Sequence, residues 1–212
     1  RDRVLDRYKR IYSPMIGSGP VMDFLGQTGL DALKGADILN IAPEKYSSTV
    51  EYGDSSISKK LRSIAQIHLA ELGTRVFYCD LGSFDTHADQ LATHDKLWTA
   101  ASGAIRDFFD DLEEHNAADN VTMFLFSEFG RRVYDNGAGT DHGAGGVCLA
   151  IGKQVKGGEY GRYPSMKESD LDQGDLVPNL DFRGVYTTLV EDWMKLDPVP
   201  IVGGQFEKPT FI

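Results

Sequence analysis

Two short stretches hold most of the side chains whose types and spacing could do chemistry. The first, Gly82-Ser83-Phe84-Asp85-Thr86-His87-Ala88-Asp89-Gln90, sets Asp85 and His87 two residues apart on a polar turn. The second, residues 127–146, reads SEFGRRVYDNGAGTDHGAGG and spaces Glu128, Arg131, Arg132, Asp135, Asp141 and His142 among six glycines. Carboxylates and imidazoles together are the ligand set of zinc, manganese and similar divalent ions. An Asp-x-His turn can offer both side chains to one ion. The dipeptide Asp141-His142 suits two ions, or one ligand paired with a group that orients it. Two neighbouring ions would make an in-line displacement site for a phosphate or sulfate ester, with Arg131 clamping the anionic oxygens. The candidate metal ligands are therefore Asp85, His87, Glu128, Asp141 and His142, and Arg131 is the candidate catalytic residue. Zinc is the expected cofactor, with manganese, calcium or magnesium as the other divalent candidates.

These loops need elements to present them. Residues 1–12 place Val4, Leu5, Tyr8 and Ile11 at helical spacing, and Ser13-Pro14 stops the helix. Residues 21–40 are mildly helical but interrupted by Gly26, Gly29 and Gly35, which predicts short surface helices. A loop over 43–56 leads to a helix over 56–72, with Ile57, Leu61, Ile64, Ala65, His68 and Leu72 on one face and Gly73 as its stop. His68 there reads as a core histidine. Residues 74–81 predict a strand running into the first motif.

A long helix over 88–115 follows, buried along Leu91, Leu97, Trp98, Ala101, Ala104, Ile105, Phe108 and Leu112. Its acids Asp110, Asp111, Glu113 and Glu114 read as a solvated face, and His115 as a surface residue complementing the helix dipole. His94 reads as a solvent-facing or capping residue, or a support for His87. Strands over 120–126 and 147–151 flank the second motif. An irregular hairpin (153–163), a polar loop (164–179), a helix (180–196) and an extended tail complete the chain. This alternation predicts an α/β fold with a mostly parallel sheet and helices on both faces. Strand ends would then bring Asp85, His87, Glu128 and Arg131 together along one sheet edge. The chain reads as one domain portion, with a helical lead-in (1–55), a core (56–196) and a tail (197–212).

Composition limits the function classes. The chain has 212 residues, 41% hydrophobic and 25% charged, in the range of folded globular proteins. A net charge of −10 and a pI near 4.9 predict a surface that repels nucleic acid and anionic membranes. No apolar run approaches the roughly 20 residues of a membrane span. Cys79 and Cys148 sit in apolar runs and read as two buried free thiols; they match no zinc motif and no disulfide framework. The chain opens on Arg1 in a charged helix and not on a leader, so either a leader is gone or the chain is part of something longer.

FDTHADQ, then a helix, then a strand ending in SEFGRR, then GTDHG running into a strand and a Gly-Gly pair resembles the domain-of-unknown-function family 1501. That family is placed in the alkaline-phosphatase and sulfatase superfamily, and the resemblance spans residues 56–196. It implies a partial alkaline-phosphatase-like sheet. Asp85, His87 and His142 would hold one metal, and Glu128, with Asp141, a second. The superfamily's Asp-His pair falls on Glu128-Phe129, so the acid is kept in kind and the histidine is not. Its upstream metal-binding Asp and Ser, Thr or Cys nucleophile find no counterpart before Ser56, which implies a C-terminal portion whose partner is the missing N-terminal part. Exported relatives imply a periplasmic or cell-surface location. The resemblance thus implies a metal-dependent hydrolase acting on a small anionic ester. The alternative is an exported, non-enzymatic binding or assembly module that retains the fold. A third reading makes Ser83, Thr86 or Thr140 the nucleophile.

Overall fold

Ser55 begins the clearest helix. Its side chain accepts the Ser58 amide, and the helix Ser56–Leu69 then buries Ile57, Leu61 and Ala65 on one face. The computed structural model describes residues 2–212; Arg1, the first residue of the expected opening helix, lies outside the described residues. In chain order the helices are α1 (Asp2–Tyr12), α2 (Pro20–Ile41), α3 (Ser56–Leu69), α4 (Gln90–Glu114), α5 (Phe182–Thr188) and α6 (Val199–Val202). The strands are β1 (Met123–Leu125), β2 (Gly130–Asp135), β3 (Thr140–Gly143) and β4 (Leu149–Ile151).

The expected mostly parallel α/β sheet of alkaline-phosphatase type is not what the chain forms. The strands described make two separate two-stranded antiparallel sheets, β1 with β4 and β2 with β3. A parallel pair needs a long crossover, usually a helix. Here the residues between β1 and β4 fold into the β2–β3 hairpin instead, and β4 returns antiparallel with Phe124 opposite Ala150. The expected strand over 74–81 has no ladder partner; Val76 and Tyr78 are exposed. Nor do residues 153–163 form a paired hairpin.

The chain divides into two compact units. The first comprises Arg1–Asp80 and Ala101–His115. In it α2 is one continuous helix, not the expected series of short ones. Its glycines do not break it, because two of them permit a close approach. A Cβ on Gly26 would meet the Tyr12 carbonyl at 2.9 Å, and one on Gly29 would overlap the Tyr12 ring. The core of this unit is Ala42, Ile57, Leu61, Ala65, Ala101, Ala104, Phe108 and Leu112.

Of the acids near the end of α4, Asp110, Glu113 and Glu114 are exposed as expected, but Asp111 is not part of a solvated face. Asp107, Asp111 and Glu114 share one side of the helix and clasp residues 46–53. Asp111 is 0% exposed. Its Oδ2 accepts the hydroxyls of Tyr46 and Tyr52, both at 2.7 Å. Glu114 accepts the Thr49 amide and hydroxyl and the Ser48 hydroxyl, and Asp107 accepts the Gly53 amide.

The second unit comprises Leu81–Ala100 and Asn116–Ile212. Phe124, Phe126, Phe182 and Tyr186 form an aromatic cluster between β1 and α5. The helix expected over 180–196 starts at α5, capped by Asp181, and passes into a wider π turn at Leu189–Trp193. The tail is anchored: Phe211 is buried, its carbonyl accepts the Lys156 amide, and Thr188 donates to the Pro209 carbonyl. Cys79 is half-buried and Cys148 exposed, so the expectation of two buried thiols does not hold.

Candidate metal centre

The first motif is a loop turned at both ends by left-handed residues, Ser83 (φ 74°) and Asp89 (φ 49°). It is held from below by α4. The Phe84 ring meets His94 and Trp98 edge-on, each at 5.3 Å, and His94 Nε2 lies 3.0 Å from the Thr86 hydroxyl. His94 therefore supports the loop from the helix and does not face solvent.

The second motif is the β2–β3 hairpin, in which Arg131 sits directly opposite His142. Its tip is Asn136-Gly137-Ala138-Gly139. Asn136 Oδ1 accepts the Ala138 and Gly139 amides, Asp135 accepts the Gly137 amide, and Gly137 takes φ 97°. The base of the hairpin is built on main chain alone: a Cβ on Gly130 would overlap the Gly145 carbonyl. Thr140 donates its hydroxyl to Gln90 at the start of α4.

These two motifs bring Asp85, His87 and His142 together, with one ligand atom from each within 4.8 Å of the others. Asp85 Oδ1 is 2.7 Å from His142 Nε2 and 3.3 Å from His87 Nε2. On its far side His87 donates Nδ1–H to Asp141 Oδ1 at 3.0 Å. That bond selects the tautomer whose Nε2 keeps its lone pair, the form a metal requires. Asn136 Nδ2 donates both to Asp141 Oδ1 and to the His87 carbonyl, tying imidazole and carboxylate into one arrangement. The His142 ring lies on the Phe129 ring, centroids 4.0 Å apart and 11° from parallel.

The electrostatics follow from these contacts. The His142 hydrogen bond, and then the nearby imidazoles, hold the Asp85 carboxyl below its ordinary range. The His87 bond, and then Asn136, do the same for Asp141. Both carboxylates are ionised at neutral pH, as metal ligation and its support demand.

Not every sequence candidate joins the group. Among the described residues the three-donor group is Asp85, His87 and His142. Glu128 is exposed and outside it, and Asp141 reaches it through His87 Nδ1. The guanidinium of Arg131 donates to the carbonyls of Phe84, Thr86 and Thr140, each at 2.6 Å. Arg132 donates to the Gln173 carbonyl and pairs with Asp175. Two residues gain weight that the sequence did not give them. Phe129 stands only where a histidine is expected but stacks on the His142 ring; Asn136 reads as plain turn chemistry but also fixes Asp141. A side-chain amide at the first position of a turn is the one signal that could have pointed to Asn136.

Two imidazoles and a carboxylate converging at the surface, one imidazole backed by a second carboxylate, form an arrangement that could hold a divalent ion with positions left open. The chain belongs to the family described as "Protein of unknown function (DUF1501)", whose model matches residues 33–192. No curated protein and no solved structure matches the chain.

Proposed function

We propose that this chain is the metal-holding part of a metal-dependent hydrolase of phosphate or sulfate esters. The observation that carries the reading is the Asp85–His87–His142 convergence with Asp141 behind His87. Two imidazoles plus one carboxylate is a donor set that suits zinc in hydrolytic sites, where it leaves room for substrate. Bound there, the ion would supply Lewis-acid stabilisation of charge on an ester's anionic oxygens. The chain's own residues do the rest: Asp141 and Asn136 fix the His87 ring, and Phe129 covers one face of His142. Thr140 donates its hydroxyl to the Gln90 amide oxygen, which is no base, so that hydroxyl is not poised as a nucleophile. Kinship with the alkaline-phosphatase and sulfatase superfamily enters as ester chemistry only, and an exported location belongs to the same proposal.

A second reading is a binding or assembly module with one metal. It is favoured by exposure: the Asp85, His87 and His142 side chains are 64%, 51% and 41% accessible.

The decisive experiment measures bound metal in the purified chain and in His87→Ala and His142→Ala variants. Zinc at about one equivalent, reduced at least ~100-fold in affinity in both variants, supports the centre. Unchanged metal content in both would overturn it. Turnover of aryl phosphates or sulfates by the zinc-loaded protein at its natural length supports the hydrolase, and zinc binding without turnover there supports the module.

A further inference from the structure

We infer that Arg131 is a positioning residue, a brace that locks the two ligand-bearing segments together, and not the clamp for a substrate anion. The inference rests on the metal reading above and asks what holds that centre in register.

The loop carrying Asp85 and His87 has no ladder partner and turns at both ends through left-handed residues. Its backbone makes no ladder bond to β3, which carries His142. Side chains of the hairpin hold it instead: Asn136 at the His87 carbonyl, and Arg131 at two further carbonyls. Arg131 stands opposite His142 across the hairpin, and its Nη1 donates to the Thr86 carbonyl, between the two loop ligands, and to the Thr140 carbonyl, two residues before His142. Its Nη2 donates to the Phe84 carbonyl, just before Asp85. One planar cation thus collects three main-chain acceptors from both segments through short, charge-assisted bonds. Its Cζ lies 5.1 Å from the centre of the Phe129 ring, which in turn lies on the His142 ring. The cation and the third ligand are linked through one aromatic ring. An anion clamp needs its N–H groups aimed at solvent, whereas three of the five here are directed at carbonyls.

The chemistry demands a guanidinium. Lysine offers a compact charge on a flexible stem and cannot serve carbonyls on two segments through a rigid fork. Glutamine keeps one amide donor group and loses the charge.

The test compares the full chain with Arg131→Lys and Arg131→Gln, titrating zinc and recording the absorption spectrum of the cobalt-loaded protein. The brace predicts a loss of zinc affinity of ~10-fold or more in both variants, with an altered cobalt spectrum. Inorganic phosphate affinity, measured at saturating zinc, should stay within ~2-fold of the parent. A parallel measurement on the unsubstituted chain reads the Arg131 guanidinium N–H resonances. They should be protected from exchange, shift on adding zinc, and not respond to phosphate. Unchanged zinc affinity and cobalt spectrum in the variants would overturn the brace. So would a phosphate-induced shift of the guanidinium resonances in the unsubstituted chain, which would make Arg131 the clamp. Failure of the unsubstituted chain to bind zinc at all would overturn the metal reading and this inference with it.

Discussion

Two clusters in this molecule use the same residue types and end in opposite states. Around Asp111, a buried carboxylate takes both tyrosine hydroxyls on one oxygen while its other oxygen lies 3.3 Å from His115 Nδ1. His115 in turn directs Nδ1 at the Asp111 carbonyl and Nε2 at the Ser47 carbonyl, both at 2.8 Å. Two acceptors on one ring are satisfied only by an imidazolium, so both ring nitrogens are consumed by structure, while the buried Asp111 Oδ1 makes no hydrogen bond and faces that charge. Around Asp85, by contrast, the Nε2 atoms of two imidazoles converge on one carboxylate oxygen at the surface, and Asp141 ties down the far nitrogen of His87. Acids and histidines make a candidate site only where lone pairs are left facing one point. Where donors and acceptors match, they make a clasp.

The comparison can be broken at the clasp first. Asp111→Ala should cost about 3 kcal/mol, because it strands two part-buried hydroxyls and an imidazolium. Adding Tyr46→Phe and Tyr52→Phe should restore part of that loss, since removing both partners of a bond costs less than removing one. Thermal unfolding of the single and triple variants reads both effects. A single variant as stable as the parent would show that the clasp holds nothing.

Next comes the support of the open cluster. Asp141→Asn keeps the shape and removes the charge behind His87, so zinc affinity should fall by roughly 10-fold or somewhat more. Its unfolding temperature should hardly move, because the Asp141 side chain is 58% accessible. Equal losses of stability and metal affinity would mean that Asp141 is a structural residue like Asp111.

The smallest effect is a pH dependence at the clasp. The Asp111 carbonyl bond foremost, then the Ser47 carbonyl and the charges of Asp111 and Glu114, raise the pKa of His115 against the opposing effect of burial. A folded-state pKa above the unfolded value near 6.5 means stabilisation fully present below about pH 6.5 and lost as pH rises through the folded value. The gap in unfolding temperature between the parent and His115→Gln should therefore be largest near about pH 5.5 and shrink by about pH 8.5. A gap independent of pH would remove the imidazolium from the account.

Much of the candidate site was legible in the chain. Asp85, His87 and His142 stood out because their side-chain types are rare outside chemistry when they cluster in glycine-rich loops. Asp141 was read as a metal ligand, with Glu128 at a second ion, and not as the group that orients His87. Helices α3 and α4 were legible because their apolar stripes repeat at the helical period over many turns. Strand pairing was not. Residues 74–81 carry strand composition yet find no partner, while residues 130–143, read as a loop, pair into a hairpin. Strand composition records local preference; pairing depends on which distant segment arrives.

The sequence by itself determined the inventory: a metal-compatible set of carboxylates and imidazoles, an acidic surface charge, and amphipathic helices with definable stops. The tertiary structure decided how that inventory was spent. It made Asp111 a buried acceptor and Asp141 the support of an imidazole. It set Arg131 against three carbonyls and left Glu128 outside the group. The physical reason is that a polar side chain's role is set by the partners within about 3 Å of it. Those partners come from segments that may be fifty residues away in the chain.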